Sequence, residues 1–369
     1  MKHLLPLLAL AALACGGNDS VAGQSPPTGM VPQEILGHTL YLRSGFKIGV
    51  FADQLGGVRY LALGPEGAVY ASRSGAGRIV KLVDANGDGV AESVTDAATG
   101  LSAPFGIAFR GDTMYVGQPG SIIRFVPGVA TPQPVVSGIP GGGHSTRTVV
   151  FGPDGQMYVA VGSSCNVCDE GNPRRAAVTR FNPDGTGEHR FATGLRNSVG
   201  LAFHPTTGEL WATNNDRDNL GDEVPPEHLN ILKDGKWYGW PQCWMPGQRN
   251  PEYPTADCST VEPPAITFQA HSAPLGMAFY TGTTFPGYQG DAFMAYHGSW
   301  NRSVPTGAKV VHVEVQNGKP VAIEDFVVGW QLGDGSRWGR PVAVLPLPDG
   351  SLLISDDSGG RIWRVTYGN

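Results

Sequence analysis

Charge is scarce in this chain: Asp, Glu, Lys and Arg make up 16% of its 369 residues. Lys and Arg number 26 against 32 Asp and Glu, a net charge of −6, so the basic footprint of non-specific nucleic-acid binding is missing. Long apolar runs are missing too. The best of them, residues 4–14, is too short to span a bilayer comfortably. No P-loop, no nucleophile elbow and no dinucleotide fingerprint occurs, which removes the commonest nucleotide and serine-hydrolase chemistries. Long helices are excluded by an excess: 83 residues are Gly or Pro (53 and 30), nearly twice the average share of roughly 12%. Disorder is excluded by 41% hydrophobic residues and eight Trp. Many short strands joined by many turns remain.

The N-terminus reads as an export signal. Lys2 precedes the apolar run, which ends at Ala12-Leu13-Ala14-Cys15-Gly16, a sequence resembling a bacterial lipobox. The expectation is a signal peptide over 1–14, lipid on Cys15 and a small, polar, Pro-containing tether over 15–35. The protein is then an exported lipoprotein, at the periplasmic side of a membrane or the cell surface, with no other membrane contact. An ordinary signal peptide, with Cys15 lost, is the alternative. Of the other four cysteines, proximity favours Cys165 with Cys168 and Cys243 with Cys258, among three possible pairings. A zinc site is disfavoured because Cys243 and Cys258 lack a CxxC spacing.

One phrase recurs six times: an apolar strand, a Gly-centred turn, a second apolar strand, and often a third. Leu61-Ala62-Leu63-Gly64-Pro65-Glu66-Gly67 and Val149-Val150-Phe151-Gly152-Pro153-Asp154-Gly155 are two copies. The turn glycines are Gly67, Gly111, Gly155, Gly208, Gly290 and Gly350, the first three evenly spaced within the roughly 40–50 residues of a four-stranded propeller blade. The expectation is an all-β, six-bladed β-propeller of four-stranded antiparallel blades over 36–369. The strand at 46–51 should complete the last blade and close the ring. Chemistry should lie where loops gather at one end of the central channel.

Polar groups stand just ahead of several inner strands. Gly141-Gly142-Gly143 bares the backbone beside His144, whose unperturbed pKa of about 6.5 suits a general base. Blade symmetry should gather His144 and His271 with Arg147, Arg196, Arg302, Arg337 and Arg340, guanidiniums suited to a planar polycarboxylate. Trp300 and Trp338 could stack on a flat ring or sugar face. The run 214–226, with Asp218, Asp222 and Glu223, offers hard oxygen ligands for Ca²⁺. A second calcium candidate is a hairpin loop with Asp84, Asn86, Asp88 and Glu92, a pattern that plain turns also use.

Taken together, Gly143-His144, Gly194-Leu195-Arg196-Asn197, Leu220-Gly221-Asp222-Glu223 and Tyr238-Gly239-Trp240-Pro241 resemble the soluble quinoprotein glucose/sorbosone dehydrogenase family over roughly 40–369. The resemblance implies pyrroloquinoline quinone (PQQ) and Ca²⁺ as cofactors. It implies oxidation of an aldose, a sorbosone-like aldehyde or a related hydroxyl compound, with electrons passed to an external acceptor, a quinone or cytochrome. By matching motif, His144 is the base, Arg196 and Asn197 contact the quinone, and Arg340 and Arg337 meet cofactor carboxylates. Arg302 stands near the place of a cofactor lysine, and backbone carbonyls around Arg217 and Asp218 match those holding the calcium. The sequence departs from the family with Val199 in place of a Gln and Arg217-Asp218 in place of Gly-Pro. Two other classes remain open: a lactonase-type metal hydrolase, disfavoured because Arg and His rather than carboxylates precede the inner strands, and a non-catalytic lipoprotein binding a glycan or protein.

Overall fold

The computed structural model describes residues 28–368. All six turn glycines take positive φ, between +54° and +93°, a conformation that only glycine adopts without strain. Each closes the hairpin between the first and second strands of a blade. Blade 1 comprises Val58–Leu63, Val69–Arg73, Arg78–Val83 and Ser93–Ala98, and blade 2 Ile107–Arg110, Thr113–Gln118, Ser121–Phe125 and Gln133–Ser137. Blade 3 runs from Arg147–Phe151 through Met157–Val161 and Ala177–Phe181 to His189–Thr193, with Lys236–Trp237 added parallel at its edge. Blade 4 holds Leu201–Phe203, Leu210–Asn214, Glu227–Leu232 and Ile266–Phe268. Blade 5 is Pro274–Phe279, Ala292–Tyr296, Lys309–Gln316 and Lys319–Val328. Blade 6 takes Pro341–Pro346, Leu352–Asp356 and Arg361–Tyr367 from the end of the chain, and its fourth strand, Phe46–Ala52, from near the start. The ring is therefore closed by pairing, as expected.

Strand alternation builds the core between blades rather than within them. In Thr113–Gln118, Met114 and Val116 pack toward blade 1 with Ile79 and Ala98, while Tyr115 packs toward blade 3 with Val149 and Met157. The same two-residue period puts Tyr158 on blade 4's side and Met157 and Val159 on blade 2's. Where the inner strands begin, Phe105, Val199, Leu275 and Val342 form a small apolar plug. Val199 is one of its members, so this departure from the glucose-enzyme pattern faces packing rather than a ligand.

The structured chain starts before the expected boundary at residue 36. Met30–Ile35 and His38–Arg43 form a hairpin whose second strand pairs Tyr41 with Val328 and Leu42 with Val327, widening blade 5 to six strands. Burial of Leu40 and Leu42 fixes it there. The signal segment and Cys15 lie outside the described residues. Cys165–Cys168 and Cys243–Cys258 are both disulfides. The insertion after blade 4's third strand carries the second, buried beside Val261. Among the described residues no helix is long and apolar enough to cross a membrane.

Candidate functional site

Antiparallel strands alternate direction, so the starts of first strands and the turns between second and third strands share one face. His144, Arg196, Asn197, Arg217, Asp218, Asp222, Glu223, Arg302, Arg337 and Arg340 all lie in those segments. Asp84, Asn86, Asp88 and Glu92 lie in a turn between third and fourth strands, on the opposite face. There the carboxylates of Asp84, Asp88 and Glu92 come within 4.8 Å of one another. Asp84 also accepts the Gly87 and Gly89 backbone N–H groups at 2.7 and 2.9 Å.

The loop before blade 3 is held by two guanidiniums. Arg147, with no exposed surface, donates to the carbonyls of Pro140 (2.8 Å), His144 (2.8 Å) and Thr146 (2.7 Å). It braces the loop and does not face a ligand, which corrects its place in the expected arginine cluster. Arg175 adds bonds to Pro140 O, Gly141 O and Gly162 O. Gly143 has φ +59°, and a Cβ there would stand 2.4 Å from Ser164 Cα.

His144 is fixed in one tautomer. Its Nδ1 lies 3.0 Å from Ser163 O and 3.1 Å from Ser163 Oγ, while that hydroxyl donates to Cys165 O at 2.7 Å. A carbonyl only accepts, so Nδ1 carries the proton and Nε2 keeps a lone pair. Burial first, then the Arg196 charge, lowers the imidazole pKa to about 4; the Ser163 bond opposes this, and Arg175 and Arg147 add to it. The ring is therefore neutral at pH 7.

Arg196 and Asn197 join His144. The Ser163 N–H donates to Arg196 O at 2.7 Å. A Cβ on Gly162 would lie 2.6 Å from both Asn197 Oδ1 and His144 Cβ, so only glycine leaves room for the two side chains. Asn197 Oδ1 is buried with no partner. Arg196 is 5% exposed and donates to Asp216 O (2.7 Å), Asn166 O and Oδ1 (3.1 Å each) and Asp218 Oδ2 (2.8 Å).

The acidic loop is satisfied by neighbouring segments. Arg217 turns to Glu252 at 2.6 Å, Asp218 pairs with Arg196, and Asp222 and Glu223 bind Ser303 and Arg302. His271 Nε2 donates to Gly221 O at 2.8 Å. The side chains of Asp218, Asp222 and Glu223 thus do not converge as the oxygen set expected for a cation, because arginine charges separate them. Arg302 serves this loop and is not free for a cofactor carboxylate. Trp300, 74% exposed, has no ring partner among the described residues. Trp338 stacks on His38 instead, with ring centroids 4.3 Å apart.

Arg337 and Arg340 form no ion pair among the described residues. Arg337 donates to Gln331 Oε1 (3.2 Å) and Thr306 O (3.3 Å), and Arg340 to His297 O (3.0 Å) and Gly298 O (3.2 Å). Burial lowers the pKa of each. Beside them Asp357 couples Arg59 (2.5 Å) to His297 (2.9 Å). Arg59, Asp357, Ser145, Thr146 and Phe105 line a pocket of about 440 Å³ at this face. The site therefore offers a neutral base, an unpartnered buried amide oxygen and excess guanidinium, a donor set that fits a planar, carboxylated group.

Several of these residues escape sequence reasoning. Arg59 opens the first repeat as other arginines open later ones, and that equivalence could have found it. Asp357 and Asn166 sit in the turns that follow second strands, which carry no such marker. Glu227 accepts the Asp216 N–H at 2.7 Å, and burial above all raises its pKa to about 8. Its strand reads as irregular because Glu227, His228 and Asn230 are all buried polar residues.

Comparison with known proteins extends this reading. An uncharacterized protein of Borreliella burgdorferi is 38% identical over 232 residues, 61% of each chain. Aldose sugar dehydrogenase YliI of Escherichia coli (strain K12) is 28% identical over 256 residues, 62% of this chain and 61% of that one. The chain thus spans about three fifths of the length of these curated relatives. The holo pyranose dehydrogenase PQQ domain from Coprinopsis cinerea superposes with a TM-score of 0.75 at 22% identity, over 89% of this chain and 97% of that one. The iodide structure of the Trichoderma reesei Carbohydrate-Active Enzymes Family AA12 protein gives 0.77 at 20%, over 89% and 97%. Both share the fold. The family model described as TrAA12-like matches residues 40–368, nearly the whole described structure, and the chain belongs to that family.

Proposed function

We propose that the protein is a PQQ- and calcium-dependent oxidoreductase that oxidises an aldose, a sorbosone-like aldehyde or a related hydroxyl compound. Electrons pass to an external quinone or cytochrome, and lipid on Cys15 holds the exported protein at a membrane. The observation that carries the reading is the neutral His144 beside Arg196 and Asn197 on a face with unpaired guanidiniums. Asn197, Arg196, Arg337 and Arg340 would hold the quinone cofactor. The Arg217 carbonyl would contribute to its calcium site, while the Asp218 carbonyl is taken up by Asn166 Nδ2 and Arg217 Nε at 3.0 Å each; the Asp84–Asn86–Asp88–Glu92 loop would hold a second, structural calcium. When bound, PQQ supplies the two-electron acceptor. The chain's part is to orient the substrate carbon and to accept its hydroxyl proton at His144 Nε2. The names of the dehydrogenase relatives support this reading.

Adding PQQ and Ca²⁺ to the purified apoprotein should give a tight complex that reduces a dye with aldoses, sorbosone or simple alcohols. A protein that neither binds PQQ nor turns over any of them overturns the reading. The pH dependence is a second check. A base with a lowered pKa works above that pKa and loses its lone pair below it. kcat/KM should therefore hold from pH 7 to pH 5 and fall only toward about 4. An acid limb at the ordinary histidine value of about 6.5 would mean that burial and the Arg196 charge do not hold this ring down.

A further inference from the structure

Asn166 lies between the two cysteines of the Cys165–Cys168 disulfide, in the turn after blade 3's second strand. Its amide and carbonyl make five hydrogen bonds to three segments. Oδ1 accepts from the Arg196 guanidinium (3.1 Å) and from the Asp218 N–H (2.8 Å). Nδ2 donates to Asp218 O at 3.0 Å. The Asn166 carbonyl accepts from Arg196 Nε (3.1 Å) and from the Trp240 indole (2.9 Å). A side-chain amide carries acceptor and donor on separate atoms, so Oδ1 and Nδ2 serve the Asp218 N–H and carbonyl at once.

We propose that Asn166 is a positioning residue: it holds the Arg196 guanidinium and the Asp218 backbone in register with each other and with His144. The disulfide closes a short ring around it and fixes the carbonyl that Arg196 and Trp240 share. The same loop reaches His144, because the Cys165 carbonyl holds the Ser163 hydroxyl and the Ser163 carbonyl holds the imidazole. One small loop thus sets the base and the neighbouring cation together. Asn166 touches neither substrate nor the reacting atoms and acts through Arg196. The kinetic consequence rests on the dehydrogenase reading above; the placement itself does not.

The test uses full-length protein without cofactor first. The cations facing His144 are Arg196, Arg175 and Arg147. Asn166→Ala removes the Oδ1 contact that sets the first of them against the Asp218 backbone, so the His144 titration, followed by NMR of histidine-labelled protein, should move upward by a fraction of a pH unit while other histidines stay put. Trp240→Phe removes one bond to the same carbonyl and should give a smaller shift in the same direction. A His144 midpoint unmoved in folded Asn166→Ala protein overturns the proposal. If that variant does not fold, an unmoved midpoint in Trp240→Phe overturns it equally. With PQQ and Ca²⁺ added, kcat should fall about tenfold or more with KM changed by less than about twofold. Wild-type protein that ignores PQQ removes the dehydrogenase reading, and the titration then decides the role of Asn166 independently.

Discussion

His144→Ala protein, reconstituted with PQQ and Ca²⁺, is expected to bind the cofactor as wild type does and to turn over about 10²–10⁴-fold more slowly. The size follows from the role. His144 offers the lone pair at Nε2 in a ring whose other nitrogen is tied to Ser163. Removing it takes away the proton acceptor but none of the guanidiniums that fit an anionic ligand. Folding should survive, since the imidazole bonds only to Ser163 and the bracing of the loop belongs to Arg147 and Arg175. The measurement is a pair: cofactor titration by absorbance, and steady-state dye reduction. Retained turnover removes His144 as the base. Lost binding with lost turnover would place His144 among the cofactor contacts instead.

A large stability effect should come from the inner wall between blades 2 and 3. Gly106 and Gly117 there lie against the backbone of blade 3. A Cβ on Gly117 would stand 2.1 Å from Arg147 O, and one on Gly106 2.4 Å from the same oxygen. Neither obstacle is a flexible side chain. Gly106 N–H donates to that oxygen at 3.1 Å, so the strand cannot back away without losing the bond. Gly117→Ala should therefore cost about 3 kcal/mol or more and lower Tm by at least about 5 °C. Gly120→Ala, three residues on with open space around it, should melt within about 1 °C of wild type. Equal melting temperatures for the two variants would mean that the blades can separate at no cost.

The architecture was legible because each blade repeats one local rule. A positive-φ glycine between two apolar strands is written the same way six times, and alternation then assigns each strand's two faces to its two neighbours. Blade 4 hid its third strand, since Glu227, His228 and Asn230 are buried against polar partners and break the apolar pattern. The hairpin at Met30–Arg43 hid for a related reason: its first strand is mostly exposed and reads as tether. In the site, His144, Arg196 and Asn197 come together as their motifs suggest. Arginine counting fared worse. Arg147 and Arg302 resemble Arg337 and Arg340 in sequence, yet the first is consumed by carbonyls and the second by Asp222 and Glu223. Which partner a guanidinium finds depends on loop paths that local sequence does not encode.

The closure of the ring has a consequence for the order in which this molecule can be built. Phe46–Ala52 is synthesised well before Arg361–Tyr367, yet they pair strand to strand. Until Arg361–Tyr367 emerges, blade 6 is incomplete and Phe46–Ala52 is an open edge bearing Phe46, Ile48 and Phe51. The hairpin before it waits on blade 5 in the same way. A nascent chain thus carries an adhesive apolar strand until its partner is made, and shielding of that edge, rather than formation of any one blade, is the step at which aggregation competes with folding.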